Sequence, residues 1–160
     1  RINSEEYLHP DSIHFADSLK FTTPGGKVVF GGGGIMPDRY ISYDTTGISE
    51  YFQMVRPHIY AFALNFTERK RETLKKFVNP AELEKYLDTQ DLLAQFIDYA
   101  EKKSVKRDPE GIKISGNIIH VQLKAYIARN MLDNKGFYPI WEKLDSTLQY
   151  AIDYIESDRN

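Results

Sequence analysis

The side chains that could carry chemistry in this 160-residue chain are four histidines, several serines and lysines, and many carboxylates. Cysteine is absent, which excludes thiol catalysis, disulfides and cysteine-ligated zinc. The histidines are His9, His14, His58 and His120. None has the HExxH spacing or another spacing that would place two metal ligands on one helix face. His9 and His14 lie near Asp11 and Asp17, where a weak surface metal site is the alternative to solvated side chains. We assign no metal ligand.

A hydrolase needs a nucleophile beside a base, and the sequence shows no such pair. The Gly-x-Ser-x-Gly element is missing. A serine–lysine dyad needs a serine on a strained turn and a desolvated lysine that stays neutral. The serines occupy positions typical of helix caps or exposed surface, such as Ser42, Ser49, Ser115 and Ser146. The carboxylates Glu82, Glu84, Asp88 and Asp91 have the pattern of caps and solvated faces. We therefore predict no catalytic residue.

The most distinctive motif is the run from Gly31 to Asp38, four glycines followed by Ile-Met-Pro-Asp. Glycine reaches positive φ at little steric cost, so this run predicts a tight, backbone-dominated turn. A phosphate-binding loop would end in Gly-Lys-Ser or Gly-Lys-Thr and open a helix, whereas Pro37 removes an amide donor here. We predict no bound nucleotide and no other cofactor.

Composition and charge fit a soluble globular protein. The chain is 41% hydrophobic and 28% charged, with a formal net charge of −2. No basic patch indicates nucleic-acid binding, and no apolar run reaches the roughly 18 residues of a membrane span. Because the first residue is Arg1 rather than Met, we expect upstream sequence in a longer precursor.

Residues 1–47 have the pattern of an irregular, β-like segment. Lys27–Phe30 predicts a short strand and Arg39–Tyr43 a second one, with the glycine run between them. Two strands bury little surface, so this hairpin-like unit needs something to pack against.

Residues 48–160 predict a helical domain. Ser49 begins the first helix, which Pro57 should end or kink near Val55. Asn79 followed by proline caps a short helix that ends near Leu87, and Asp88 is predicted to cap the next. That helix carries the apolar stripe Leu92, Leu93, Phe96, Ile97 and Ala100 and ends near Lys103.

Two further helices complete the predicted domain. Asp108 and Pro109 open one whose stripe of Ile119, Leu123, Tyr126, Ile127 and Met131 extends to Asp133, and Asn134-Lys135-Gly136 should stop it. The last is predicted as one continuous helix with apolar residues at Phe137, Ile140, Trp141, Leu144, Leu148, Ala151, Ile152 and Ile155. The fold class is thus mainly α, an antiparallel bundle of about five or six helices after a short β-hairpin-like segment.

Several stretches together resemble one family. They are Asp11-Ser12-Ile13-His14-Phe15, Gly31 through Asp38, Asp44-Thr45-Thr46-Gly47, Gln122 through Asn130, and Gly136-Phe137-Tyr138-Pro139. In this order they resemble the C-terminal part of carboxyl-terminal processing peptidases, the tail-specific serine proteases, in the exported form of Bacteroides-type bacteria. The resemblance covers most of the chain.

The resemblance implies a non-catalytic region of a serine-type endopeptidase. Residues 1–47 would end the protease core region, and residues 48–160 would form a helical C-terminal domain. The family's serine nucleophile and lysine base match no position here, so the isolated chain is expected to be inactive. The implied partners are the PDZ domain and catalytic core of the parent protease and, through it, protein substrates. The implied location is the periplasm or cell envelope, and a homo-oligomer is left open.

A second hypothesis treats the chain as a stand-alone helical module. Aromatic residues make up 13% of the sequence, so an aromatic groove could hold an unfolded peptide or a partner helix. A native N-terminus close to residue 1, or micromolar peptide binding by the isolated chain, would favour this hypothesis.

Overall fold

The computed structural model describes residues 20–26, 28–31, 41 and 46–157. The chain divides into two compact units, Arg1–Tyr43 and Asp44–Asn160. The first contains a two-stranded sheet and the second the helices.

The first unit contains an antiparallel hairpin. Strand β1, Lys20–Thr22, pairs with β2, Val28–Phe30, so that Lys20 faces Phe30 and Thr22 faces Val28. The turn closes through a hydrogen bond of 2.9 Å from the Gly26 N–H to the Thr23 carbonyl oxygen. Gly26 has φ +81°, a conformation that glycine adopts without a side-chain clash.

The predicted strand at Lys27–Phe30 is confirmed as β2, but its partner precedes it in the sequence. The turn signal Thr23-Pro24-Gly25-Gly26 joins the two strands. Most of the glycine run and, apart from Ile41, the predicted strand Arg39–Tyr43 lie outside the described residues.

Over its described residues, 46–157, the second unit contains five α-helices, which confirms the predicted mainly helical class. They are α1 (Glu50–Leu74), α2 (Pro80–Asp88), α3 (Leu92–Lys102), α4 (Pro109–Trp141) and α5 (Ser146–Ser157), with a 3₁₀ turn over Glu142–Leu144 between the last two.

Helix α1 begins where the sequence predicts and ends much later. The Ser49 side chain accepts a hydrogen bond of 3.2 Å from the Phe52 N–H, as an N-cap does. Of the two predicted effects of Pro57, an end or a kink near Val55, the end is wrong, because α1 continues to Leu74. An interior proline costs about 3 kcal/mol. The residues that offset this cost are buried on one side of the helix: Val55, Ile59, Phe62, Ala63 and Phe66.

Helices α2 and α3 confirm one predicted cap and correct another. The Asn79 side chain accepts a hydrogen bond of 2.8 Å from the Ala81 N–H at the start of α2. Asp88 does not cap the next helix, because it is the last residue of α2 and its carboxylate accepts a hydrogen bond from Lys124 on α4. Asp91 stands at the N-cap of α3 in a left-handed conformation, φ 47°, without a side-chain hydrogen bond.

Helix α4 is interrupted at Asp133, which has φ 54° and ψ −144°. The predicted stop lies one residue later, at Asn134-Lys135-Gly136. Gly136 has a role that the sequence does not reveal. A Cβ atom on Gly136 would lie 2.5 Å from the Ala128 carbonyl oxygen, so only glycine permits this close approach. The break therefore folds residues 134–141 back towards the preceding turns.

The predicted continuous last helix is wrong. Residues 137–155 are divided among the end of α4, the 3₁₀ turn and α5. The cause is Asp145, whose backbone is extended and whose carboxylate accepts a hydrogen bond of 3.0 Å from the Leu148 N–H. Asp145 thus caps α5, and no residue of α5 is buried within the described part of the chain.

The core is formed mainly between α1 and α4, with α2 and α3 packed against them. The two long helices come closest where Gly111 meets Tyr51. A Cβ atom on Gly111 would lie 2.5 Å from the Tyr51 Cβ and 2.5 Å from an oxygen of Asp108. Gly116, one and a half turns later, would meet only the Leu93 Cδ2, at 3.2 Å.

These two glycines allow a matched test. Gly111→Ala should destabilise the fold by about 1–3 kcal/mol, because the new methyl group overlaps the backbone-proximal atoms of Tyr51. Gly116→Ala should be neutral or should stabilise by up to about 1 kcal/mol, because alanine favours the helix and a leucine methyl can move. Urea unfolding of both variants measures the difference. Equal stability of the two would contradict this account of the α1–α4 contact.

The helical unit should also fold by itself. Residues 44–160, produced alone, should give a helical circular dichroism spectrum and unfold in one cooperative transition, because the core lies within this unit. The segment must keep Gly47, whose carbonyl oxygen lies 2.8 Å from the Ser115 hydroxyl. A gradual loss of ellipticity without a transition would contradict the prediction.

Candidate functional site

Among the described residues, the serine best protected from solvent is Ser115, and it serves helix packing. It is fully buried, and its Oγ accepts a hydrogen bond of 2.8 Å from the Ser49 N–H. The same Oγ lies 2.8 Å from the Gly47 carbonyl oxygen and 2.8 Å from the Ser49 hydroxyl. The Ser49 hydroxyl in turn donates to the Gly111 carbonyl oxygen at 3.0 Å. This network fixes the start of α1 against α4 and leaves the Ser115 hydroxyl no substrate-facing side.

The buried lysine of the described residues, Lys124, is held as a cation. Its Nζ lies 2.9 Å from Glu84 Oε1 and 2.8 Å from Asp88 Oδ1, both on α2. Burial alone would lower the pKa of Lys124, but the two carboxylates carry that pKa above its usual value. The pKa of Glu84 is lowered: burial opposes the shift, and hydrogen bonds from Lys143 and Lys124 outweigh it. Lys124 is therefore a poor general base.

Ser115 and Lys124 cannot act together. They are nine residues apart on one helix, which at 1.5 Å per residue separates their backbones by about 13 Å. A nucleophile and its base must be within hydrogen-bond reach. Within the described residues, Ser115 and Lys124 therefore do not form such a pair, and the absence of a catalytic residue stays a prediction.

The other candidate residues remain dispersed. His58 lies on α1 and His120 on α4, both half-buried. Ser146 begins α5, and Glu82 lies in the first turn of α2. His9, His14, Asp11, Asp17 and Ser42 lie outside the described residues. Within the part of the chain that the structure describes, no group of three His, Asp or Glu side chains could hold a metal ion.

A continuous series of aromatic rings lies on the surface of the helical unit, and we call it the aromatic surface. It consists of Tyr60 from α1 and Tyr126, Phe137, Tyr138 and Trp141 from α4. Tyr60 meets Tyr126 edge to face at a centroid distance of 5.4 Å, and Phe137 stacks on Trp141 at 4.9 Å. The guanidinium carbon of Arg129 lies 5.1 Å from the Phe137 ring centre, a cation–π contact.

The break at Asp133 assembles this surface. Tyr126 and Arg129 precede the break, whereas Phe137 and Trp141 follow it, and they meet because the chain folds back at Gly136. Sequence reasoning placed Phe137 and Trp141 in the stripe of a final helix and left Tyr60 out of every stripe. The parts of α4 before and after Asp133 come together because the backbone breaks at that residue. Hydrophobic periodicity does not predict such a break.

The aromatic surface has the composition of a protein-binding site. Tyr60 and Tyr138 are each half exposed, and Leu64, one turn after Tyr60, is also exposed. Phe137 beneath them is almost fully buried. Tyr, Trp and Arg are the residue types that contribute most to protein interfaces, particularly when they are fixed by neighbouring rings. The arrangement can bind an apolar or aromatic partner surface and contains no group suited to bond cleavage.

Comparison with known proteins assigns the chain to a family. A model described as a family of unknown function (DUF8443) matches residues 51–133, more than half of the chain. The chain belongs to this family. No curated protein and no solved structure matches it. The DUF8443 match begins in α1 and ends at Asp133, the residue where α4 breaks.

The extent of the DUF8443 match divides the aromatic surface into two parts. Tyr60, Tyr126 and Arg129 lie inside the matched region, and Phe137, Tyr138 and Trp141 follow it. Among the described residues, no helix combines the length and apolar character needed to cross a bilayer.

The buried charges near α2 predict a pH-dependent stability. Burial lowers the pKa of His120, and the Lys124 charge lowers it further, against weaker opposing effects of Asp88, Glu84 and Asp91. The native state therefore binds fewer protons at this site than the unfolded state does. Neutral His120 therefore contributes stability above about pH 6.5. This contribution is lost as the pH falls from about 6.5 towards the lower pKa that His120 has in the folded state.

His120→Gln should remove this loss. Between pH 8 and pH 5.5, the urea midpoint should fall less in His120→Gln than in the wild type. Asn117→Gln, at an exposed and uncharged position of the same helix, is the control and should keep the wild-type pH dependence. Parallel pH profiles for the wild type and His120→Gln would contradict the assignment to His120.

Proposed function

We propose that this chain is the non-catalytic C-terminal region of a serine-type carboxyl-terminal processing peptidase that acts on exported proteins. The observation that carries the proposal is the ordered series of stretches resembling that family, from Asp11-Ser12-Ile13-His14-Phe15 through Gly31–Asp38 to Gly136-Phe137-Tyr138-Pro139. Residues 1–47 then end the protease core region. The helical unit is then an extension, and the catalytic residues lie upstream of it in the sequence.

The use of the polar side chains supports a non-catalytic role. The Ser115 hydroxyl is hydrogen-bonded within the α1–α4 contact. Lys124 remains a cation because it forms ion pairs with Glu84 and Asp88. A peptidase nucleophile must be exposed to substrate, and its lysine base must lose its proton near neutral pH. Neither condition is met by these two residues.

The aromatic surface supports a docking role for the helical unit. We infer that it contacts the catalytic core of the same protein, so that the helical unit positions or stabilises the active enzyme. Half-exposed Tyr60, against the Tyr126 ring, and half-exposed Tyr138, against the buried Phe137 ring, offer the apolar anchors that such a contact needs. The expected location of the parent enzyme is the periplasm or cell envelope.

The alternative function is a stand-alone helical module that binds a peptide or a partner helix. The same aromatic surface favours it, since an amphipathic helix can place its apolar face against such rings. The two functions differ in what precedes Arg1 in the gene.

The first test is the upstream reading frame together with an activity assay. We expect codons before Arg1 for a PDZ-like domain and an α/β core with a serine followed by a lysine. The complete protein should cleave an unfolded reporter peptide, and the 160-residue chain should not. An upstream frame without these parts would overturn the peptidase proposal and favour the stand-alone module.

The second test locates the docking partner in the complete protein. A photoreactive benzoylphenylalanine in place of Tyr138 should crosslink to residues upstream of Arg1, whereas the same group in place of Val78 should not. Val78 is 82% exposed and lies between α1 and α2, outside the aromatic surface. Equal crosslinking from both positions, or none from position 138, would contradict docking through the aromatic surface.

A further inference from the structure

A groove of about 530 Å³ lies between α1 and α3, separate from the aromatic surface. It is lined by Phe62, Asn65, Glu68 and Arg69 of α1 and by Gln95, Asp98, Tyr99 and Lys102 of α3. Its volume falls in the range of sites that hold small ligands and short peptide segments, about 300–1,000 Å³.

The floor of the groove is rigid and aromatic. Phe62 is buried and meets Tyr99 edge to face at a centroid distance of 5.5 Å, with Phe96 beneath at the same distance. Tyr99 is half-buried, and Lys103 Nζ lies 5.6 Å from the centre of its ring. An apolar side chain can rest on this floor without disturbing the core.

Each carboxylate that lines the groove already forms an ion pair with an arginine. Glu68 pairs with Arg71 on the same helix. Asp98 accepts a hydrogen bond of 2.8 Å from Arg107, which also binds Glu101. The neighbouring guanidinium holds the pKa of Glu68 below its usual value, so Glu68 is ionised and paired near neutral pH.

The cations of the groove, in contrast, are left without partners. Among the described residues, neither Arg69 nor Lys102 has an ion-pair or hydrogen-bond partner, and neither does the Asn65 side-chain amide. Both cations line the groove. With the acids paired and these cations free, the local field favours an anion.

We propose that the α1–α3 groove binds an extended acidic peptide segment. Two carboxylates of the peptide pair with Arg69 and Lys102, the Asn65 amide donates to its backbone, and an apolar side chain rests on Phe62 and Tyr99. Each wall spans eight residues of helix, a rise of about 10 Å, which matches about three residues of extended chain. The proposal rests on different residues from the docking surface and goes beyond the proposed function.

The test uses three hexapeptides and the 160-residue chain. The first alternates leucine and glutamate with both ends blocked; the second replaces each glutamate by glutamine; the third is the glutamine peptide with a free terminal carboxylate. Amide chemical shifts in ¹⁵N-labelled protein report binding. The first peptide should bind about tenfold more tightly than the second, as two exposed ion pairs predict, and shift signals in residues 62–69 and 95–102.

The third peptide distinguishes the source of the carboxylate. Binding close to that of the first assigns the anion to a chain end, and binding close to that of the second assigns it to acidic side chains. Either result is consistent with the groove as an anionic-peptide site, provided that the first peptide binds there.

Matched variants decide whether the groove cations are responsible. Arg69→Gln and Lys102→Gln should each weaken binding of the acidic peptide, the more important one about fivefold. Lys70→Gln removes an exposed lysine that does not line the groove and should leave affinity unchanged. The proposal is overturned by equal affinity for acidic and neutral peptides, by shifts outside α1 and α3, or by an equal effect of Lys70→Gln.

Discussion

The close packing of α1 along α4 is the constraint on which the rest of the helical unit depends. At one end, Gly111 lies against Tyr51, and Ser115 joins Ser49 and Gly47 by hydrogen bonds. The buried Tyr51 hydroxyl has no hydrogen-bond partner among the described residues, which costs about 1–3 kcal/mol. The same packing carries α1 through Pro57. A helix that tolerates both costs is held by the apolar surface that it buries and not by local preference.

Several buried and half-buried polar side chains of the unit link one helix to another. Lys124 and Glu84 would each be costly to bury alone, and together with Asp88 and Lys143 they join α2 to α4 and to the 3₁₀ turn. Thr67 donates to the Ala63 carbonyl oxygen at 2.8 Å and accepts from the Asn130 amide at 3.2 Å, which adds a polar link between α1 and α4. These side chains are held in contacts between helices of the unit.

Within the described residues, the groove and the aromatic surface are both proposed to contact partners, and they are built from different parts of the chain. The groove is formed by α1 and α3, inside the region that the DUF8443 model matches. It is lined by two cations, Arg69 and Lys102, that form no ion pair with another described residue. The aromatic surface is completed by residues after Asp133, where the DUF8443 match ends. The position of the break therefore coincides with the end of the region that the family model matches.

The sequence by itself determined the helical class, the caps at Ser49 and Asn79 and the core stripe of α4, because caps and periodicity are local signals that read directly as helix. Tertiary structure decided the rest. Pro57 lies inside α1 because long-range burial outweighs a local cost of a few kcal/mol. Asp88 was predicted to cap a helix, but its carboxylate pairs with Lys124. The apolar stripe from Phe137 to Ile155 was predicted to form one helix, but it is divided at Asp145. The aromatic surface and the groove depend on which helices lie side by side, and spacing along one helix carries no information about its neighbours.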